Sequence, residues 1–372
     1  MGTKEYKVRE SGIELIKVIA LLMIVIYHCI IIAGNGIFVN AGIVYDAATE
    51  NLTGRVLQVM CYMGNIGNLI FYIASCWFLV DKSSVRINKI AVIIVDCVVV
   101  SIGVMSIAMA LGKEVAIADV LKSCFPLTFC LNWFIVAYVL IYLLHPLFNM
   151  ILESITQHRL LQYNMLFGVL YCVIAQINGE AFFYTDLVGF IGIYFMVAYA
   201  KKYMRKIIDK VKINVIMLIS GTICLVMLQC ATNKIGMYVT FLDMQKWNKL
   251  CNPLVIAIAF SLFNIFKQIS FKSSVINYAS SLSLLVYILH ENYIFRRYFR
   301  INLMYDMWCR TGQVNILIFV MGFGIGLFVV TILIAMVYKH LVQPWSNKIG
   351  AYLVKCTYTI YNKIETLCFH IV

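Results

Sequence analysis

Charge is scarce in this chain. Asp, Glu, Lys and Arg make up 13% of its 372 residues, against 63% for the hydrophobic set, and the mean hydropathy is +0.90. Soluble domains carry about 25% charged and about 45–50% apolar residues. That balance excludes a soluble protein and describes a polytopic, all-α membrane protein. No segment between apolar runs is long enough to build a core of its own, so residues 1–372 are expected to form one integral-membrane domain. No C-x-x-C occurs among the 13 cysteines, most of which lie in apolar stretches (Cys29, Cys76, Cys97, Cys172, Cys224), so no metal site and no disulfide framework is expected. No A-x-A-like cleavage site follows the first apolar run, which is too long for a signal-peptide core and carries internal charges. It reads as retained. No internal repeat stands out, which weakens a repeat-built transporter.

The charge that is present is basic, with a net +13. In a soluble protein this would suggest nucleic acid as a partner, but here the basic residues gather at helix ends, so no nucleic acid is expected. Ten apolar segments are long enough to draw as spans: 13–33, 64–80, 90–111, 131–151, 160–177, 186–203, 213–232, 252–268, 276–295 and 314–338. The second can begin earlier, near Leu57. With the N-terminus inside, 19 Lys/Arg fall on the cytoplasmic side and ten outside, with Lys17 within a helix, so both termini are placed in the cytoplasm. Arg296, Arg297, Arg300 and Arg310 break the rule. Either a span is miscounted, or this segment folds back toward the membrane, or it is an outer site for an anionic acceptor.

Within the first span stand Lys17 and His28, with ten residues between them. Eleven helical steps turn about 20° past three full turns, so the two share a face, about 16 Å apart along the axis. Glu14 lies within about 60° of both. Ionisable groups at membrane depth are expensive and tend to be functional. A cation near the surface and a histidine deeper in would suit a long anionic molecule, its charged end at the mouth and its reactive end inside. Blander readings compete: Lys17 can snorkel to the interface or pair with Glu14, and His28 can be a structural histidine bonded to another helix.

Other residues draw attention. Asp96 is a carboxylate inside the third span, to be protonated, paired or pore-lining. His290-Glu291 ends a helix near the outer face, and Trp133 divides between packing and lining a pathway. The G-x-G-x-G of Gly322, Gly324 and Gly326 lies within a span, where close helix packing explains it better than phosphate binding. Asn51-Leu52-Thr53 matches a glycosylation sequon of a kind common by chance.

The opening S-G-I-E-L-I-K-V-I-A-L-L-M-I-V-I-Y-H resembles the first helix of acyltransferase family 3, membrane enzymes that O-acylate surface polysaccharides and other acceptors. That family carries Arg or Lys followed by His, and Lys17 and His28 match. Gly67 to Leu79 is similar to its second helix, usually rich in P-L-F-F-x-x-S-G, with Asn68 in place of Pro and Cys76 in place of Gly. Asn132-Trp133-Phe134 with Tyr138, Tyr142 and His145-Pro146-Leu147 resembles its W-F…Y…P-L segment, and Ser281 to Glu291 its S-x-x-x-x-x-Y-L-x-H region. Where the family has an R-x-x-R pair associated with the acyl donor, this chain has Arg86-Ile87-Asn88-Lys89. Both charges remain, but one guanidinium and its bidentate phosphate contact are lost.

The resemblance implies a multi-pass protein of the bacterial cell (inner or plasma) membrane, moving an acetyl group from cytoplasmic acetyl-CoA to a sugar hydroxyl of a surface or lipid-linked glycan. Membrane lipid and a second copy of the chain are further partners to consider. His28 would be the general base and Glu14 would orient Lys17. Arg86, Lys89 and Lys17 would meet the donor's phosphates; Trp133, His290 and Asp96 would line the substrate pathway; and Asn132, Tyr27 and Ser75 are oxyanion candidates. Some family members carry a C-terminal esterase-like domain, which is not seen here, so the membrane part is expected to act alone or with a partner. Two other readings stay open: a transporter or flippase with His28, Asp96 and Glu14 as a proton relay, and a sensor that binds donor without turnover.

Overall fold

A computed structural model describes residues 10–33, 52–174, 186–234, 247–311 and 314–369, and among these every regular element is helical. Each of the ten apolar segments contains a helix. Six of the described helices are long and apolar enough to cross a membrane: Ser11–Ile32, Leu52–Leu79, Ile87–Ala110, Trp133–Ser154, Val211–Ala231 and Ile316–Leu341. The second begins earlier than its hydropathy suggests, as a short helix Leu52–Met60 that turns at Cys61 into Tyr62–Leu79. Asn51 of the sequon lies outside the described residues.

Two compact units divide the chain. The first comprises residues 1–83, 144–283 and 301–328, the second residues 84–143, 284–300 and 329–372.

In the first unit α1 (Ser11–Ile32) packs along Tyr62–Leu79, burying Ile16, Ala20, Leu21 and Ile24. Gly67 makes the approach close: a Cβ there would stand 2.6 Å from the carbonyl oxygen of Ala20 and 2.8 Å from Cγ1 of Ile24. At the start of α1, Ser11 N–H donates to the Phe271 carbonyl at 2.9 Å, and Ser11 Oγ accepts from Ser273 N–H at 2.8 Å. Gly12 lies against the carbonyls of Phe266 and Ile269, with no room for a side chain. This turn therefore needs a small hydroxyl followed by no side chain, and Ser11-Gly12 supplies both. The end of Tyr62–Leu79 is held by Asn149, whose Nδ2 donates to the carbonyls of Leu79 (2.9 Å) and Lys82 (2.7 Å) while its Oδ1 accepts from Tyr194 at 2.7 Å. Of the three spaced glycines, Gly324 faces Ile26 of α1 with 3.1 Å for a Cβ, whereas Gly322 and Gly326 face nothing within 4 Å. Packing thus explains Gly324.

In the second unit the axis is Ile87–Ala110, and the C-terminal helix Gln343–Phe369 runs antiparallel along it. Gln343 reaches Asp96, Gly350 lies against Val92, and Val354 and Tyr358 meet the Val85–Lys89 segment. Gly350 closes this seam, because its missing Cβ would stand 3.2 Å from the Val92 nitrogen. The far end of Ile87–Ala110 builds a small apolar cluster of Met105, Ala108 and Ile294 with Val104, Val115, Val120 and Tyr293 around it. A short helix Ile117–Cys124 and the π-helical turn Arg296–Arg300 complete that end. The segment read as an outer connection beyond residue 295 is thus helical through Ile301–Arg310.

Candidate active site

Glu14, Lys17 and His28 share the uninterrupted helix α1 of the first unit. Lys17 Nζ stands 2.9 Å from Glu14 Oε2, and the same oxygen accepts from Ser280 Oγ. Ser11 Oγ donates to Asn277 Oδ1 at 3.0 Å, one helical turn before Ser280. The helix Ser274–Ser281 therefore anchors the start of α1 through Asn277 and holds the Glu14 carboxylate, and through it the Lys17 cation, through Ser280. His28 is half-buried, its ring centroid 5.1 Å from that of Tyr27. Ser280 escapes a reading by hydropathy alone; the signal available is a cluster of three serines, Ser280, Ser281 and Ser283, in a segment drawn as a span. Of the oxyanion candidates, Ser75 donates to the Phe71 carbonyl of its own helix at 2.9 Å.

The other candidates belong to the second unit. Arg86 is the N-cap of Ile87–Ala110, and Lys89 follows within its first turn. Together with Val85, Ile87 and Asn88 they line a cavity of about 420 Å³ whose other wall is Val354 and Tyr358. Lys89 Nζ donates to Tyr138 OH at 2.8 Å and lies 4.8 Å from the Tyr142 ring centroid, a cation–π arrangement. Both tyrosines come from the W-F…Y segment, on the helix Trp133–Ser154.

Trp133 and His290 join one aromatic chain. Trp133 meets Phe134 edge-on at 5.8 Å, Phe134 meets Tyr287 at 5.3 Å, and Tyr287 meets His290 edge-on at 5.5 Å. His290 is fully buried, with Nδ1 2.8 Å from the Val286 carbonyl oxygen. A carbonyl only accepts, so Nδ1 carries the hydrogen and the lone pair of the neutral ring is on Nε2. Glu291 beside it takes Arg300 at 2.6 Å and Arg296 at 3.3 Å. Arg300 also donates to the His290 carbonyl at 2.9 Å.

Asp96 is 3% exposed. Its Oδ1 accepts from Tyr338 OH at 2.8 Å and its Oδ2 from Gln343 at 3.3 Å. It ties the corner before the C-terminal helix to Ile87–Ala110.

Asp119 is buried and was not anticipated. It accepts from Tyr298 OH (2.7 Å) and Tyr293 OH (2.9 Å) and pairs with Arg297 at 3.2 Å. Burial pushes its carboxyl up, but the hydroxyls of Tyr298 and Tyr293 and the cations Arg297 and Lys122 outweigh burial, leaving it below the usual carboxylate value. Three of the four arginines that break the positive-inside count, Arg296, Arg297 and Arg300, thus have carboxylate partners. A single acid between apolar neighbours, Ile117-Ala118-Asp119-Val120-Leu121, was the available signal.

A half-buried histidine and a lysine paired with a carboxylate stand on α1, and two cations line a cavity of the second unit; the helices Ser11–Ile32 and Ile87–Ala110 that carry them are long and apolar enough to cross a membrane. A family model described as an acyltransferase domain matches residues 10–337. The chain belongs to this family, the acyltransferase 3 family of membrane acyltransferases. Comparison with curated proteins and with solved structures gave no match. The matched range contains Glu14, Lys17, His28, Arg86, Lys89, Asp96, Trp133 and His290, and ends before Tyr338, Gln343, Val354 and Tyr358.

Proposed function

We propose that this protein is a membrane O-acyltransferase that takes an acetyl group from cytoplasmic acetyl-CoA and passes it to a hydroxyl of a sugar in a surface or lipid-linked glycan. The observation that carries the reading is the family match over residues 10–337, with Lys17 and His28 on one face of α1 inside it. Arg86 and Lys89 take the donor's phosphates, as a guanidinium and an ammonium favour them, and Lys17, oriented by Glu14, adds a third cation. His28 is the general base. It accepts the acceptor hydroxyl's proton while the oxygen attacks the thioester carbonyl; the C–S bond breaks, and the proton passes to the departing CoA sulfur. Trp133 and His290 line the acceptor's approach.

The same proposal places ten spans in a bacterial inner membrane with both termini in the cytoplasm. Two pairings within the second unit support that count. Val85 to Lys89 share a cavity with Val354 and Tyr358, and the charge count assigns both segments to the cytoplasm. Asp119 bonds to Tyr293, Arg297 and Tyr298, and the count puts Asp119, Arg297 and Tyr298 outside and Tyr293 at the outer end of its span.

The test is acetyl-CoA binding and CoA release by the purified protein in nanodiscs. His28→Ala should abolish release with donor affinity nearly intact, and Arg86→Ala should weaken donor affinity. The opposite pattern sinks the roles. No donor binding by folded protein sinks the enzyme reading in favour of transport.

A further inference from the structure

The donor cavity has two walls, and only one lies within the family match. Arg86, Asn88 and Lys89 form the polar wall. Val354 and Tyr358 form the other, seventeen and more residues past the end of the matched range. The geometry that brings them there is built in steps along one helix face. Asp96 accepts from Tyr338 and Gln343 and so sets the direction in which the C-terminal helix departs. Gly350 then lets the two helices meet at the Val92 backbone. Val354 and Tyr358 follow Gly350 at four and eight residues, hence on the same face. Going the other way along the partner helix, Val92 is followed by Lys89 and Asn88, then by Arg86 and Val85. The seam is closed at Gly350 and opens at Tyr358.

A cavity of about 420 Å³ between cations and a phenol ring has a definite chemistry. The cations suit phosphate. Tyr358 is 53% exposed, so a face of its ring is available for a flat group to stack on. Among the described residues that line the cavity there is no carboxylate to repel an anion. We infer that Tyr358, with Val354 beneath it, receives the base of a nucleotide whose phosphates lie on Arg86 and Lys89, so that the C-terminal helix selects a nucleotide-bearing donor. This rests on the proposed donor reading and adds to it a specificity residue outside the matched domain.

Two donors separate the possibilities: acetyl-CoA, and S-acetyl-4′-phosphopantetheine, which keeps the thioester and one phosphate but lacks the nucleotide. Binding and release of the free thiol, CoA or 4′-phosphopantetheine, would be measured in nanodiscs for wild type, Tyr358→Ala, Tyr358→Phe and Val354→Trp. Tyr358→Ala should weaken acetyl-CoA binding about tenfold, the order expected for a lost base–aromatic stack. It should leave the short donor's affinity unchanged. Tyr358→Phe should match wild type, and Val354→Trp, which fills the cavity, should weaken acetyl-CoA and block competition by adenosine 3′,5′-bisphosphate. Unchanged acetyl-CoA affinity in Tyr358→Ala, or equal loss for both donors, overturns this inference and leaves the parent reading standing. Failure of folded wild type to bind acetyl-CoA at all overturns both.

Discussion

Replacing Gly67 by alanine should disable the enzyme from the far side of α1. The new Cβ would stand 2.6 Å from the Ala20 carbonyl oxygen, inside the 3.0 Å that Cβ contacts respect, and 2.8 Å from Ile24 Cγ1. Ile24 can turn its side chain, but Ala20 O is backbone, so α1 itself has to move by several tenths of an ångström. Ala20 stands three residues after Lys17, and Ile24 four before His28, so the strain enters between the two functional groups. Overpacking of this kind costs about 1–3 kcal/mol, offset by about 1 kcal/mol because alanine is the better helix former. A misplacement approaching 1 Å at a reacting group costs about 100-fold in rate. The expected result is a fall in turnover of about 10- to 100-fold, with most donor affinity retained because Arg86 and Lys89 stand on another helix, Ile87–Ala110, and only Lys17 moves with α1. The control is Gly103→Ala, also in a helix, where a Cβ meets nothing within 4 Å. Acetyl-CoA-dependent CoA release and thermal unfolding in nanodiscs would be read side by side. If Gly67→Ala matches Gly103→Ala in both, the close approach does not position the site and the reasoning fails.

Asp119 gives a pH signature. Its carboxyl lies below the ordinary value, so its charged form contributes stability that is complete above about pH 4, near the unfolded-state pKa, and is lost as pH falls through the lower folded-state value. Asp119→Asn should lower stability at neutral pH by about 2 kcal/mol and flatten the acid limb of an unfolding-midpoint curve; an unchanged acid limb would refute the assignment. Asp96→Asn keeps an acceptor for Tyr338 and should retain most turnover, whereas Asp96→Ala should cost about 1–3 kcal/mol by stranding buried donors. Loss of all activity in Asp96→Asn with unaltered stability would instead make Asp96 part of a proton path.

What could be read beforehand depended on range along the chain. Long apolar runs announce helices whatever surrounds them, and each of the ten segments contains one. The helices Ile117–Cys124 and Ile301–Arg310 were passed over because Lys122, Asp306 and Arg310 dilute their hydropathy. At the site, Glu14 and Lys17 are neighbours by helical spacing alone, and their ion pair needs nothing else. Ser280 on Glu14, Tyr338 on Asp96 and Tyr358 beside Arg86 join residues more than 240 positions apart. No local pattern encodes such pairs; they follow from which helix faces are brought together.

The π-helical turn Arg296–Arg300 has a bearing on how relatives of this chain should be aligned. A π turn is an α-helix that has taken in one residue without breaking. Five π residues turn about as far as four α residues, so a relative with one residue fewer between positions 296 and 300 can wind as plain α and leave the helix Ile301–Arg310 facing the same way. Arg300, at the end of the turn, would keep its place against Glu291. A single-residue gap here is therefore absorbed where it falls, and such a relative aligns without a shift on either side of the turn.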